Sequence, residues 1–304
     1  MQIHGACQAA MEALPFNAFN DIRSETPMPD LSLTPPELAQ YHADGYVLRR
    51  GLFDAEEVAL MAQAIATDPA IARNTYARRD GQGAATELAL WPHPGDDVFG
   101  AAARSMRMVD SLEKMLGGEV YHWHSKLTMK RPKVGGAWDW HQDYGYWYDN
   151  ACLFPLMASV FIAVDPSTRE NGCLEVLRGS HHLGRLDHGK VGGQKGADMR
   201  RVEEAMKVLE HVYVEQAPGD ALFFHANLLH TSGQNRSDKS RNVLLCCYNA
   251  ARNSPYLEGP HPSYTRLAKL PDAAVKEIGR RGPDAARAFY VPPASTGAEL
   301  TRQS

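Results

Sequence analysis

The segment Trp138-Asp139-Trp140-His141-Gln142-Asp143-Tyr144 sets an imidazole and a carboxylate two residues apart in a strand-like run. Side chains at i and i+2 of a strand project to the same face, so His141 and Asp143 are expected to share one metal ion. A second histidine, His230, closes the apolar run that begins at Ala221. Two histidines and one carboxylate, with the other coordination positions open, form the ligand set of non-haem Fe(II) oxygenases. The same three side chains also suit a hydrolytic zinc site, provided a general base stands nearby. A jelly-roll module that binds a metal or small molecule without turnover is the non-enzymatic alternative.

The residues after His230 separate these readings. Thr231 to Ser240 is polar and turn-rich and lies between two apolar runs, which reads as a hairpin. A loop centred between Asn235 and Arg236 places His230 opposite Arg241, on the same face. A guanidinium beside a cationic metal makes sense if an anion bridges them. A dicarboxylate that chelates iron at one end needs a partner at the other, and Arg offers a planar fork for it. Ser232, two residues beyond His230, adds a hydroxyl on that face. A hydrolase leaves Arg241 unexplained.

These side chains need a strand framework, and the second half of the chain supplies one. Val120 to Lys130 alternates, with Tyr121, Trp123, Leu127 and Met129 on one face and His122, His124, Lys126, Thr128 and Lys130 on the other. Further strands are expected at 137–144, 156–164, 173–178, 211–216, 220–226 and 242–249. The first half reads as helices. Thr34-Pro35-Pro36-Glu37 and Asp54 with Glu57 are two capping boxes, and 99–116 reads as one helix stopped by Gly117-Gly118. Gly45 to Leu48 is a short strand. Residues 1–33 read as an N-terminal arm, and 34–295 as one domain. Residues 182–210, rich in glycine, are either a lid over the site or a surface insertion. Helices followed by many short strands fit a mostly β fold with flanking helices, a double-stranded β-helix of the jelly-roll, cupin-like kind.

Bulk properties narrow the partners. The chain has 304 residues, is 44% hydrophobic and carries a net charge of -4, which argues against a nucleic-acid binder. Its longest apolar stretch, 151–164, is shorter than the roughly 20 residues that span a bilayer. No signal peptide is visible. The five cysteines, Cys7, Cys152, Cys173, Cys246 and Cys247, contain no Cys-x-x-Cys and are expected to be buried free thiols. A reducing, cytoplasmic location follows.

The ordered blocks His141-x-Asp143, Asn171 to His181, Pro218-Gly219-Asp220 to His225, His230-x-Ser232-Gly233-Gln234-Asn235 and Arg241 resemble the phytanoyl-CoA dioxygenase family over about residues 34–253. The resemblance implies a double-stranded β-helix, Fe(II), 2-oxoglutarate as co-substrate and O2. It makes His141, Asp143 and His230 the iron ligands, and Arg241 and Ser232 the holders of the distal carboxylate. Lys126 and Thr128 are candidates for the other end of 2-oxoglutarate. Related halogenating enzymes lack the carboxylate ligand, so Asp143 favours hydroxylation. Desaturation, epoxidation and ring formation remain open. Tyr144, Tyr146 and Trp147 are either core residues or an aromatic wall for a small-molecule substrate, apolar or cationic.

Overall fold

The computed structural model describes residues 30–191 and 193–290, together with a short strand at Glu299–Leu300. The expected arm before residue 30, Cys7 within it and the expected domain end at 295 lie outside the described residues. The described residues from Leu31 onward form one compact unit.

The chain runs α1 (Pro35–Asp44), β1 (Tyr46–Arg49), α2 (Ala55–Thr67), α3 (Pro69–Asn74), β2 (Tyr76–Arg79), β3 (Ala85–Trp91), α4 (Val98–Arg104) and α5 (Met106–Leu116). It continues through β4 (Val120–Lys130), β5 (Trp138–His141), α6 (Tyr144–Trp147), β6 (Met157–Ala163), β7 (Leu174–Leu177), β8 (His188–Val191), β9 (Gln194–Ala197) and α7 (Met199–Met206). The last elements are β10 (His211–Val214), β11 (Ala221–His225), β12 (His230–Ser232), β13 (Arg241–Ala250), α8 (Ala274–Gly279) and β14 (Glu299–Leu300). An eight-stranded sheet, ordered β1-β11-β6-β13-β4-β3-β2-β14, faces a four-stranded one, β10-β7-β12-β5. This is the double-stranded β-helix expected from the sequence. Among the described residues, no helix is long and apolar enough to cross a membrane.

Both capping boxes form. The Thr34 N–H donates to Glu37 at 2.8 Å, and the Asp54 N–H donates to Glu57 at 2.9 Å. The helix expected over 99–116 is broken at Ser105, which is extended (φ -61°, ψ 143°). There Leu270 takes over the backbone groups: its N–H donates to Arg104 O, and Met106 N–H donates to Leu270 O. β2 and β3 were not expected. Ala85 to Trp91 lacks clean alternation, and its pairing with β4 makes it a strand.

The large sheet buries apolar side chains on both faces. Val160, Leu244, Cys246 and Tyr248 pack toward the helices, with Phe99, Met108 and Leu112. Phe161, Leu245, Cys247 and Phe224 pack into the barrel. The neighbouring thiols Cys246 and Cys247 thus go to opposite faces, as strand geometry requires. The four described cysteines are buried and unpaired.

One irregularity changes the alternation expected for β4. Cys247 pairs with His124 and Tyr248 with His122, so Trp123 is a bulge. Beyond it the faces swap. Tyr121 and Trp123 join the barrel interior, while His122 turns outward against Tyr248 and bonds Ser125.

Candidate active site

The strand pair β5–β12 builds the metal end. His141 stands directly opposite His230, with ring centroids 4.0 Å apart. In each ring Nδ1 meets a backbone carbonyl two residues back: Asp139 O at 2.7 Å for His141, Leu228 O at 2.9 Å for His230. A carbonyl only accepts, so each Nδ1 carries the proton and each Nε2 keeps its lone pair. Those two Nε2 atoms lie 3.7 and 3.8 Å from Asp143 Oδ1. All three residues are buried, and their ligand atoms lie within 4.8 Å of one another. Burial, followed by the neighbouring His230, lowers the His141 pKa well below the ordinary histidine value, and burial lowers that of His230. Both are therefore neutral near pH 7, as metal ligation requires. The donor set and its convergence fit a divalent transition metal.

Asp143 does not reach the site as the second of two like-facing strand residues. β5 ends at His141, and Asp143 is already helical (φ -56°, ψ -37°) at the start of α6. Ser159 Oγ donates to Asp143 Oδ2 at 2.6 Å, leaving Oδ1 to the metal. The turn itself is held by Gln142. Its side-chain amide donates to Gly184 O and Asn227 O, both at 2.8 Å, and its Oε1 accepts from Leu186 N–H at 2.7 Å. Sequence reasoning passed over Gln142 because its role depends on two loops distant in the chain.

The hairpin expected between His230 and Arg241 is not formed. β12 lies in the small sheet and pairs with β5 and β7, whereas β13 lies in the large sheet, where Arg241 pairs with Lys130. The intervening loop is fixed against the start of the β4–β5 connection, with Asn235 N–H donating to Gly135 O and Asn235 Nδ2 to Lys130 O. Period-2 patterning does not distinguish a hairpin from a crossing between sheets. Arg241 still reaches the same pocket, from the opposite wall and at its far end. That pocket holds His141, Asp143 and His230 together with Ser232, Thr128 and Lys126.

The far end is unusual electrostatically. Arg241 is 2% exposed and Lys130 1%. Lys130 Nζ donates to Ser232 Oγ at 2.8 Å and to Gly233 O. Arg241 Nε and Nη1 and Thr128 Oγ1 are buried and have no hydrogen-bond partner among the described residues. Burial lowers the Arg241 pKa to about 10, and burial followed by Arg241 pushes the Lys130 ammonium well below its usual value. Among the described residues, the only carboxylate lining the pocket is Asp143, at the other end. A buried guanidinium with unpartnered N–H groups is costly, and an anion seated against it offsets that cost. Lys130, on the same face as Lys126 and Thr128, is the pocket-lining residue beside Arg241 that sequence reasoning missed.

The other expected site residues divide. Lys126 stands where the metal pocket meets a second cavity, its Nζ 5.6 Å from the Trp138 ring centre. Tyr146 sets its ring edge-on to His141 at 5.6 Å and lines that second cavity. Tyr144 and Trp147 belong instead to the apolar interior, with Tyr144 OH donating to Cys152 O at 3.0 Å. They line neither cavity, because one turn of α6 points positions 144 and 147 away from 146. Residues 182–210 form a short 3-10 turn, the β8–β9 hairpin and α7, and the hairpin lines the second cavity. His181 and His225 pack on each other away from the metal.

Known proteins resemble this chain in sequence and in fold. L-proline trans-4-hydroxylase of Streptomyces griseoviridis is 33% identical over 181 residues, covering 54% of this chain and 67% of that protein. Ectoine dioxygenase of Sphingopyxis alaskensis is 28% identical over 273 residues, covering 84% of this chain and 88% of that one. A crystal structure of EctD from S. alaskensis with 2-oxoglutarate and 5-hydroxyectoine superposes with a TM-score of 0.65 at 23% identity, over 79% of this chain and 89% of that one. The carbocyclase SnoK from nogalamycin biosynthesis superposes at 0.62 and 17% identity, over 79% and 97%. A family profile described as phytanoyl-CoA dioxygenase matches residues 41–243, a span that holds the metal triad, Lys130, Ser232 and Arg241. The chain belongs to the phytanoyl-CoA dioxygenase family, and with it to the Fe(II)- and 2-oxoglutarate-dependent oxygenases.

Proposed function

We propose that this chain hydroxylates an unactivated C–H bond of a small-molecule metabolite, consuming 2-oxoglutarate and O2 and releasing succinate and CO2. The observation that carries the reading is the polarity of one pocket: three convergent metal-ligand atoms at one end, and Arg241 with Lys130 at the other. His141, Asp143 and His230 would hold iron, which supplies the coupling of O2 reduction to oxidative decarboxylation of the keto acid. Arg241 would fork the distal carboxylate, with Lys130 and Ser232 completing the cradle and Thr128 offering its unpartnered hydroxyl. Phe161, Leu174 and Phe224 wall the pocket and keep water from the reacting centre. Ser159 fixes the Asp143 carboxylate, and the two backbone carbonyls fix both imidazoles.

The names of the relatives, a proline hydroxylase and an ectoine dioxygenase, support hydroxylation of a compact metabolite. A zinc hydrolase fits less well. Among the described residues no further carboxylate lines the pocket to act as base, and the buried cations have no task there. The test is anaerobic. Fe(II) and 2-oxoglutarate added together should produce a weak visible charge-transfer band that neither gives alone. Confirmed iron binding without that band would refute the assignment. A substrate screen by succinate release then separates an enzyme from a binding module.

A further inference from the structure

Beside the metal pocket lies a second cavity of about 500 Å3, which shares Lys126 and Trp138 with it. Its charged lining is one-sided. Arg78, Lys126, Lys190 and Lys195 line it, and no Asp or Glu does among the described residues. The chain as a whole carries 36 acidic against 32 basic residues, so this concentration runs against the overall balance. His188 also lines the cavity but adds no charge. Its Nδ1 donates to Leu186 O at 2.9 Å, its Nε2 accepts from Gln142 N–H at 2.9 Å, and burial lowers its pKa.

The cations differ in what they already hold. Lys195 is committed to Asp149 and to Gly145 O. Arg78 reaches Gly193 O at 3.4 Å and lies 5.8 Å from the Tyr76 ring centre. Lys126 is half-buried at the junction of the two cavities, and its contact is the Trp138 face. It makes no hydrogen bond or ion pair with the described residues. Tyr76, Trp138 and Tyr146 supply flat walls, and Tyr146 touches the ring of the ligand His141.

We propose that this second cavity seats the substrate, and that the substrate carries an anionic group, a carboxylate or a phosphate, held by Lys126. Its carbon skeleton then lies against Trp138 and Tyr146, next to the metal. The unpaired ammonium of Lys126 disfavours the cationic substrate that aromatic walls alone suggest. The proposal rests on the oxygenase reading for the reaction at the metal, but the anion preference is a property of the cavity and is measurable without iron.

Metal-free protein would be titrated calorimetrically with benzoate, phenyl phosphate, benzyl alcohol and benzylammonium. Benzoate or phenyl phosphate should bind at least about tenfold more tightly than the alcohol or the ammonium, and the tighter of the two identifies the anion. Lys126→Met should weaken that binding by about tenfold or more, and Lys126→Arg should largely retain it. Equal binding of the ammonium, no binding of any probe, or indifference to Lys126→Met overturns the proposal. So does loss in Arg241→Met alone, which places the anion in the co-substrate pocket. Retained anion binding without an iron–2-oxoglutarate band would refute the oxygenase reading while leaving the cavity's preference intact.

Discussion

Arg241→Met separates ligand recognition from fold stability at one position. Arg241 is fully enclosed, and its Nε and Nη1 have no partner in the ligand-free fold among the described residues. The fall of its pKa from 12.5 to about 10 reports burial of the charged form. At about 1.4 kcal/mol per pKa unit, the folded state bears a cost of roughly 3 kcal/mol at neutral pH, where arginine is charged folded and unfolded alike. The 5.5 Å approach to the Phe161 ring centre returns part of it. Methionine matches the aliphatic stem and carries no charge. The ligand-free variant should therefore be more stable than the parent by about 1–3 kcal/mol, a rise of a few degrees in melting temperature. Its 2-oxoglutarate affinity should fall by about 3 kcal/mol, roughly 150-fold in Kd, because the distal carboxylate loses its bidentate partner. Thermal melts with and without 2-oxoglutarate, together with calorimetric titration, read both quantities. A variant that is destabilised yet binds 2-oxoglutarate like the parent would refute the reasoning, since Arg241 would then be a structural residue.

Ser159→Ala removes the 2.6 Å hydrogen bond that orients Asp143 and should weaken Fe(II) or Co(II) binding by about 10- to 100-fold with the fold intact, measured by metal titration. Gln142→Ala strips three side-chain hydrogen bonds from the turn between His141 and Asp143 and should cost several kcal/mol, at about 1–3 for each buried group left unpaired; urea unfolding checks it. Burial lowers the pKa values of His122 to about 3 and of His225 and His261 to about 4. These groups stay neutral in the fold but take a proton near pH 6.5 when unfolded. Their contribution is complete above that pH and is lost as pH falls toward 4, at about 1 kcal/mol per group by pH 5.5. Denaturant midpoints of the metal-free protein across pH 5–8 should follow that fall, and a flat profile would contradict it.

The chemistry was legible in the chain to the extent that local spacing encodes it. His141-x-Asp143 and the histidine closing an apolar run identify three ligands whatever the path between them. The mechanism assumed for their convergence was wrong in two places. Asp143 turns in on a helical start, and Arg241 reaches the pocket from the other sheet. Both paths lead to the same cavity, so the residue types survived errors in the geometry. The capping boxes at Thr34 and Asp54 were equally legible, because a cap is settled within four residues. The break at Ser105 was not, since Leu270 makes it from far along the chain.

Sequence by itself thus determined the ligand types and the class of fold, because each rests on side-chain chemistry or short-range periodicity. Only the tertiary structure decided which of the similar residues serve. Lys126, Thr128 and Lys130 are equivalent in an alternating strand, yet Lys130 alone is locked against Ser232, while Lys126 stands at the mouth of a second cavity. Tyr144, Tyr146 and Trp147 read alike as aromatics, and one helical turn sends Tyr146 to the cavity and the other two to the core. A one-residue bulge at Trp123 reversed the faces of the strand before it. The physical reason is common to all three: burial and partnership are set by what lies across the barrel, and a strand's own pattern holds no information about that opposite wall.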